Sequence, residues 1–113
     1  MKWNILEHCG NSPKNKMLVD WIVALVKQEG EMSFITEDSL IIYKGASSSL
    51  AHFEIPIGID EMHIKQSITH GRIGAILGKA IFDNEEYSFS LFFEFSLGKQ
   101  PKIKTIECVV ERV

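Results

Sequence analysis

The sequence predicts a single α+β domain covering residues 1–113, with N-terminal helices packed in the concave face of a curved, mostly antiparallel sheet. The stretch from Met17 to Val26 is apolar except for Asp20, so it belongs to a helix buried on more than one side. From Ser39 onward the hydrophobic period changes to two and β-branched residues, Ile above all, become frequent, as strands require. Asp83-Asn84-Glu85 and Leu97-Gly98-Lys99-Gln100 are polar links of hairpin length, so the strands they join form a meander.

Gly10-Asn11-Ser12-Pro13 joins a helix-ending Gly, a capping Ser and a Pro suited to a first helical position. It predicts a short helix over about residues 2–9 and a long one from Pro13 to about Glu29, stopped by Gly30. Met32 to Glu37 reads as one further helical turn. Strands are predicted at about 39–44, 51–56, 62–70, 73–82, 86–96 and 101–112, and His70-Gly71-Arg72 makes residues 62–112 an antiparallel meander in chain order. In the strand 86–96, Tyr87, Phe89, Leu91, Phe93 and Phe95 share the core face, opposite Ser88, Ser90, Phe92, Glu94 and Ser96. Ile106, Cys108 and Val110 likewise select one face of the last strand, which implies a single-layer sheet curled around the long helix.

With 45% hydrophobic and 24% charged residues and only three prolines, the 113-residue chain has one core and no disordered region. A net charge of −3 provides no positive field to collect phosphates, so nucleic acid is not an expected partner. The segment Met1 to His8 carries no signal-peptide pattern and Trp21 to Val26 is too short to span a membrane, so a soluble, cytoplasmic protein without a membrane partner is expected. Cys9 and Cys108 are expected as reduced thiols. A bridge between them would close a long loop and stabilise by about 4–5 kcal/mol in the chain-entropy model.

The phrases Gly10-Asn11-Ser12-Pro13-Lys14, Phe34-Ile35-Thr36-Glu37, Ile68-Thr69-His70-Gly71 leading to Gly74-Ala75 and Gly78, Tyr87-Ser88-Phe89 to Glu94-Phe95-Ser96, and Lys102-Ile103-Lys104-Thr105-Ile106 resemble a bacterial group of nuclear transport factor 2-like, SnoaL-like proteins. The resemblance covers most of the chain and implies a cystatin-like cone. Its superfamily includes ketosteroid isomerases, dehydratases and polyketide cyclases, and also adaptors and assembly domains, so fold alone does not choose an activity. Such proteins usually carry a third helix at the mouth of the cone. Here Gly45 to Ala51 and Pro56 to Asp60 leave room only for a loop or a single turn, so that helix is expected to be shortened or absent and the cavity more open or partly collapsed. Alignment with the isomerase branch puts Ile22 where its oxyanion-donating tyrosine lies and Tyr43 where its carboxylate base lies, and a Tyr is a poor base at neutral pH. In the closer group an Asp often stands where this chain has Leu91.

Two acid–base candidates follow from the residues. Asp20 is the one charge on the apolar helix and is either a buried base facing a cavity or part of an exposed row with Lys16 and Lys27. His70 falls by parity on an inward set with Ile64, Gln66 and Ile68, and either faces a ligand or caps the turn at Gly71. Cys108, between Ile106 and Val110, reads as a structural thiol. His8 and Cys9 diverge by about 100° on a helix and do not form a dyad. His52 and His63 lack partners at zinc-like spacing, so no metal is assigned, and Gly71, Gly74 and Gly78 match no phosphate-binding loop, so no cofactor is expected.

Trp21, Tyr43, His70 and Phe93 are the expected lining of the cone, with a small apolar ligand as its occupant. Phe92, Glu94 and Val109 lie on the opposite face, too apolar for a free surface, and are assigned to an isologous homodimer interface, as the resemblance also implies. Two other functions stay open: a SnoaL-like isomerase or cyclase using Asp20 or His70 as acid or base, and a protein-interaction module acting through the sheet face.

Overall fold

The computed structural model describes residues 1–55 and 58–113, with side chains at all of these except residues 7 and 8. One α-helix, α1 (Pro13–Lys27), lies against a seven-stranded sheet of β1 (Lys2–Ile5), β2 (Ile35–Tyr43), β3 (Ala46–Ser49), β4 (Ile59–His70), β5 (Ile73–Phe82), β6 (Glu85–Phe95) and β7 (Ile103–Arg112). The sheet order is β1-β4-β5-β6-β7-β2-β3, antiparallel except where β1 joins β4 and β2 joins β7. The expected meander is therefore present in chain order, and short parallel pairings extend it on both sides.

Helix α1 starts where its sequence says it should. Ser12 is the N-cap, its Oγ accepting from the Asn15 amide at 3.1 Å, and Pro13 occupies the first turn, where its missing N–H costs nothing. The helix ends before Gly30: Gln28 adopts a left-handed conformation (φ 56°) and its amide and that of Glu29 close on Leu25 and Ala24. Leu18, Val19, Trp21 and Ile22 are buried, and each such side chain contributes about 1.5–3 kcal/mol of transfer free energy.

Residues 2–9 do not form a helix. Lys2–Ile5 is a strand in parallel register with Glu61–Ile64, followed by a 3-10 turn over Glu7–Gly10. So short a helix has little stability of its own, and the free edge of β4 offers its backbone a complete set of partners. The reading of His8 lies outside the described side chains. Cys9 is fully buried, its thiol directed at the Ile64 carbonyl, and both cysteines are free.

Residues 51–55 do not form the strand expected over 51–56, whose last residue lies outside the described residues. The strand lies earlier, at Ala46–Ser49, paired with β2 through a turn in which Lys44 and Gly45 both have positive φ. Its serines carry no apolar alternation, so periodicity could not find it. A 3-10 turn, Leu50–His52, is the only helical structure described between β3 and β4, and the predicted loop across residues 56 and 57 lies outside the described residues. The further turn expected over Met32 to Glu37 is a 3-10 turn at Glu31–Phe34. Strand β2 then starts at Ile35, leaves its ladder with β7, and rejoins it at Leu40. Buried Ser39 holds this excursion, donating to the Ile103 carbonyl at 2.6 Å and accepting from the Thr36 amide at 2.9 Å.

A bulge in β4 decides the orientation of everything beyond it. Ile64 opposes Gly78 while Gln66 opposes Leu77, so Lys65 is the extra residue and the alternation of faces slips by one. Ser67 and Thr69 turn inward instead of Gln66, Ile68 and His70. They tie β4 to the helix: Ser67 Oγ donates to the Asn15 carbonyl at 2.8 Å and Thr69 Oγ1 to Asn15 Oδ1 at 2.7 Å. Gly78 stands opposite the bulge, where an added Cβ would collide with the His63 carbonyl oxygen and stand 2.7 Å from Phe89 Cζ. Only glycine fits there.

Candidate functional site

The two ends of the concave face are filled differently. Near the β4–β5 turn the first half of α1 is bound down by Asn15, and Leu18 lies so close to Gly74 that a Cβ there would be 3.1 Å from its Cδ1. Trp21 packs edge-on against Phe93 (centroids 5.6 Å), which stacks with Phe95. Toward the β5–β6 turn helix and sheet part, leaving a cavity of about 350 Å³. This volume falls at the small end of ligand pockets, roughly 300–1,000 Å³.

The helix contributes Trp21, Ile22, Leu25 and Val26 to the cavity. Its deep wall is formed by buried Ile41, Met62, Phe89 and Leu91. Phe53 and Ile55 approach from the segment after the 3-10 turn, and Phe82, Tyr87 and Val110 lie toward solvent. Every described residue of the lining is apolar except for the Tyr87 hydroxyl, the Cys108 thiol and the Trp21 ring nitrogen. Burial pushes the Cys108 thiol up, which favours its protonated form. The Tyr87 phenol donates to Glu85 at 3.1 Å, and this bond, more than desolvation, raises its pKa.

The other expected site residues are dispersed. Trp21 is in the lining, but Phe93 stands behind it, 3% exposed, on the filled side. Tyr43 is at the end of β2, 42% exposed, with the Lys44 ammonium 5.4 Å from its ring centre. Asp20 is partly exposed on α1 and paired with Lys16 at 2.8 Å. His70 is exposed on the outer sheet face, where the β4 bulge puts it. Neither residue touches the cavity. The residues that sequence reasoning did not propose as lining, Leu25, Val26, Phe82, Tyr87 and Phe89 among them, carried a signal of inward parity or helical spacing. It marked them as core and did not reveal that the core is incomplete at this end.

The outer face of the sheet carries an apolar patch. Cross-strand register places Ile68, Ala75, Phe92 and Glu107 in one row, with His70, Ile73, Glu94 and Thr105 on one side and Gln66, Leu77, Ser90 and Val109 on the other. Ile68, Ile73, Phe92 and Val109 are all substantially exposed. The bulge thus adds Ile68 to the face on which Phe92, Glu94 and Val109 were placed. Among the described residues no group of three or more His, Cys, Asp or Glu side chains is arranged to hold a metal, and no helix is long and apolar enough to cross a membrane.

No protein-family model matches the chain, and no curated protein matches it by sequence. Solved structures do match by fold. A nuclear transport factor 2-like protein of unknown function from Cytophaga hutchinsonii superposes with a TM-score of 0.64 at 9% identity, over 87% of this chain and 89% of that one. A candidate SnoaL-like polyketide cyclase from Jannaschia sp. gives 0.62 at 11% identity over 88% and 89%, respectively. A candidate ketosteroid isomerase from Shewanella frigidimarina gives 0.56 at 14% identity over 94% and 99%. At these identities the likeness speaks of architecture and not of chemistry. The chain has the nuclear transport factor 2-like fold, an α+β cone of one N-terminal helix on a mostly antiparallel seven-stranded sheet.

Proposed function

We propose that this chain is a small dimeric protein that binds an apolar ligand in its cone and performs no chemistry on it. The observation that carries this reading is the lining: about 350 Å³ of space walled by hydrocarbon and aromatic side chains, with no carboxylate, imidazole or amine among its described residues. Proton transfer at a bound carbonyl needs a group that titrates near neutral pH within hydrogen-bond reach. The two ionisable groups present, Tyr87 and Cys108, are both pushed to higher pKa, away from that range. An isomerase or cyclase working through Asp20 or His70 finds no support in their solvent-facing positions.

A second copy of the chain is the occupant that best suits the outer face. The patch exposes Ile68, Ile73, Phe92 and Val109, with Glu107 beside Phe92 and Glu94 paired with Lys104 at 3.4 Å, a mixture of apolar and charged surface of the kind non-obligate interfaces carry. Native mass spectrometry of freshly purified protein tests both halves of the proposal. The expected species is twice 12.8 kDa, carrying a small apolar molecule that leaves under activation. A stable monomer overturns the assignment of the sheet face. A Leu91→Trp variant that retains a co-purified molecule overturns the assignment of the cavity.

A further inference from the structure

Resting on the ligand-binding reading above, we infer that the ligand is a hydrocarbon with a hydrogen-bond-donating head, an alcohol or an amine and not a carboxylate, held with its head at the Tyr87 rim. Of the three polar groups in the described lining, the Tyr87 hydroxyl is the one at the outer end; the Cys108 thiol and the Trp21 ring nitrogen belong to a half-buried and a buried residue. Tyr87 presents its ring to the cavity, while its hydroxyl reaches Glu85, which also meets Arg112 at 3.5 Å. Arg112 is exposed and Glu85 partly so, so among the described residues this end meets water, while Trp21 and Leu91 at the opposite end are buried. An amphiphile entering a cavity of this kind leaves its polar end outside, because burying it among apolar side chains without a partner is unfavourable.

The chemistry of the rim selects the head. Tyr87 donates its one O–H to Glu85, so its oxygen offers only lone pairs to a ligand. Glu85 accepts from this hydroxyl, Asp83 lies two residues earlier in the β5–β6 turn, and Arg112 pairs with Glu85, so the rim sets two carboxylates against one guanidinium. An ordinary cationic pocket for fatty acids would have the opposite sign. Here a carboxylate would meet an acceptor and two like charges, and at Arg112 it would compete with Glu85, which stands 3.5 Å from that guanidinium. A hydroxyl or ammonium donates to the Tyr87 oxygen or to Glu85 without displacing either bond.

The test is isothermal titration calorimetry of the full chain with decanol, decylamine and decanoate, which share one tail and differ in the head. Decanol or decylamine is expected to bind at least about tenfold more tightly than decanoate, and the stronger of the two tells which donor the rim prefers. Decanoate binding as well as either overturns the inference while leaving the cavity reading intact. No heat of binding from any of the three overturns both. Glu85→Gln, a surface change whose fold is checked by circular dichroism, is expected to free Arg112 and narrow the gap. A well-folded variant that still rejects decanoate to the same degree shows that rim charge is not the cause and overturns the assignment.

Discussion

The two ends of the concave face are built from the same strands and the same kinds of side chain, yet one is solid and the other hollow. At the β4–β5 end Ser67 and Thr69 fasten Asn15, and Trp21, Phe93 and Phe95 fill the space above β6. At the β5–β6 end the inward residues Phe82, Tyr87 and Val110 are just as apolar, but α1 has moved away from them and no described helix takes its place. What differs is the presence of a cover, not the composition of the sheet. An apolar wall with no partner loses its dispersion contacts, and a ligand restores them.

Paired truncations break or sharpen this comparison most directly. Phe93→Ala at the solid end is expected to cost about 4 kcal/mol, because its neighbours cannot collapse into the space. Val110→Ala at the hollow end, where the side chain is already 38% exposed, should cost about 1 kcal/mol or less. Urea unfolding measures both, and equal losses would mean that the ends do not differ in packing. Gly78→Ala is expected to lose about 3 kcal/mol, since the clash with the His63 carbonyl forces the bulge to move, and to lower Tm by about 15 °C. A near-native melting curve for that variant would show that the strand crossing is looser than described.

Thiol chemistry separates the two regions more gently. Burial raises the pKa of both Cys9 and Cys108, but Cys108 borders the cavity while Cys9, within the 3-10 turn Glu7–Gly10, is fully buried against Ile64. A small apolar maleimide should label Cys108 about tenfold faster than Cys9, and a bound ligand should slow only the former. Labelling at equal rates would place the opening elsewhere. The smallest effect belongs to the β1 edge, where Glu61 accepts from His63 at 2.8 Å and lies near Lys2. The His63 hydrogen bond, and then Lys2, hold the Glu61 carboxyl below its usual range. Its contribution to stability is present above that range and is lost as pH falls through the folded-state pKa. Glu61→Gln should therefore lower Tm slightly near neutrality and converge with the wild type in acid; a constant difference at all pH values would remove this carboxylate from the acid response.

Much of the architecture was legible because it rests on local pattern. Ser12 and Pro13 mark the start of α1, and the Asp83–Asn84 turn, with both residues at positive φ, marks a hairpin. The core face of β6 follows from alternation alone, as Phe89, Leu91, Phe93 and Phe95 are all buried. Local pattern failed where the partner was distant. Lys2–Ile5 became a strand because β4 had a free edge, and Ala46–Ser49 pairs through a turn its serines do not announce. The misplacement of His70 has one cause: a parity count assumes an unbroken ladder, and one extra residue at Lys65 reverses every side chain after it.

By itself the sequence determined one helix with a defined start, a meander of four strands in chain order, an inward aromatic row on β6 and the fold class that unites them. These depend on neighbours in the chain, on caps, turns and a period of two or about 3.6 residues. Only the tertiary structure decided which inward residues face a cavity and which face each other. It also put Asp20 and His70 outside that cavity, and Tyr87, Glu85 and Arg112 at its rim. A hollow is the space between elements, set by the angle at which a helix leaves a curved sheet, and no single segment encodes it.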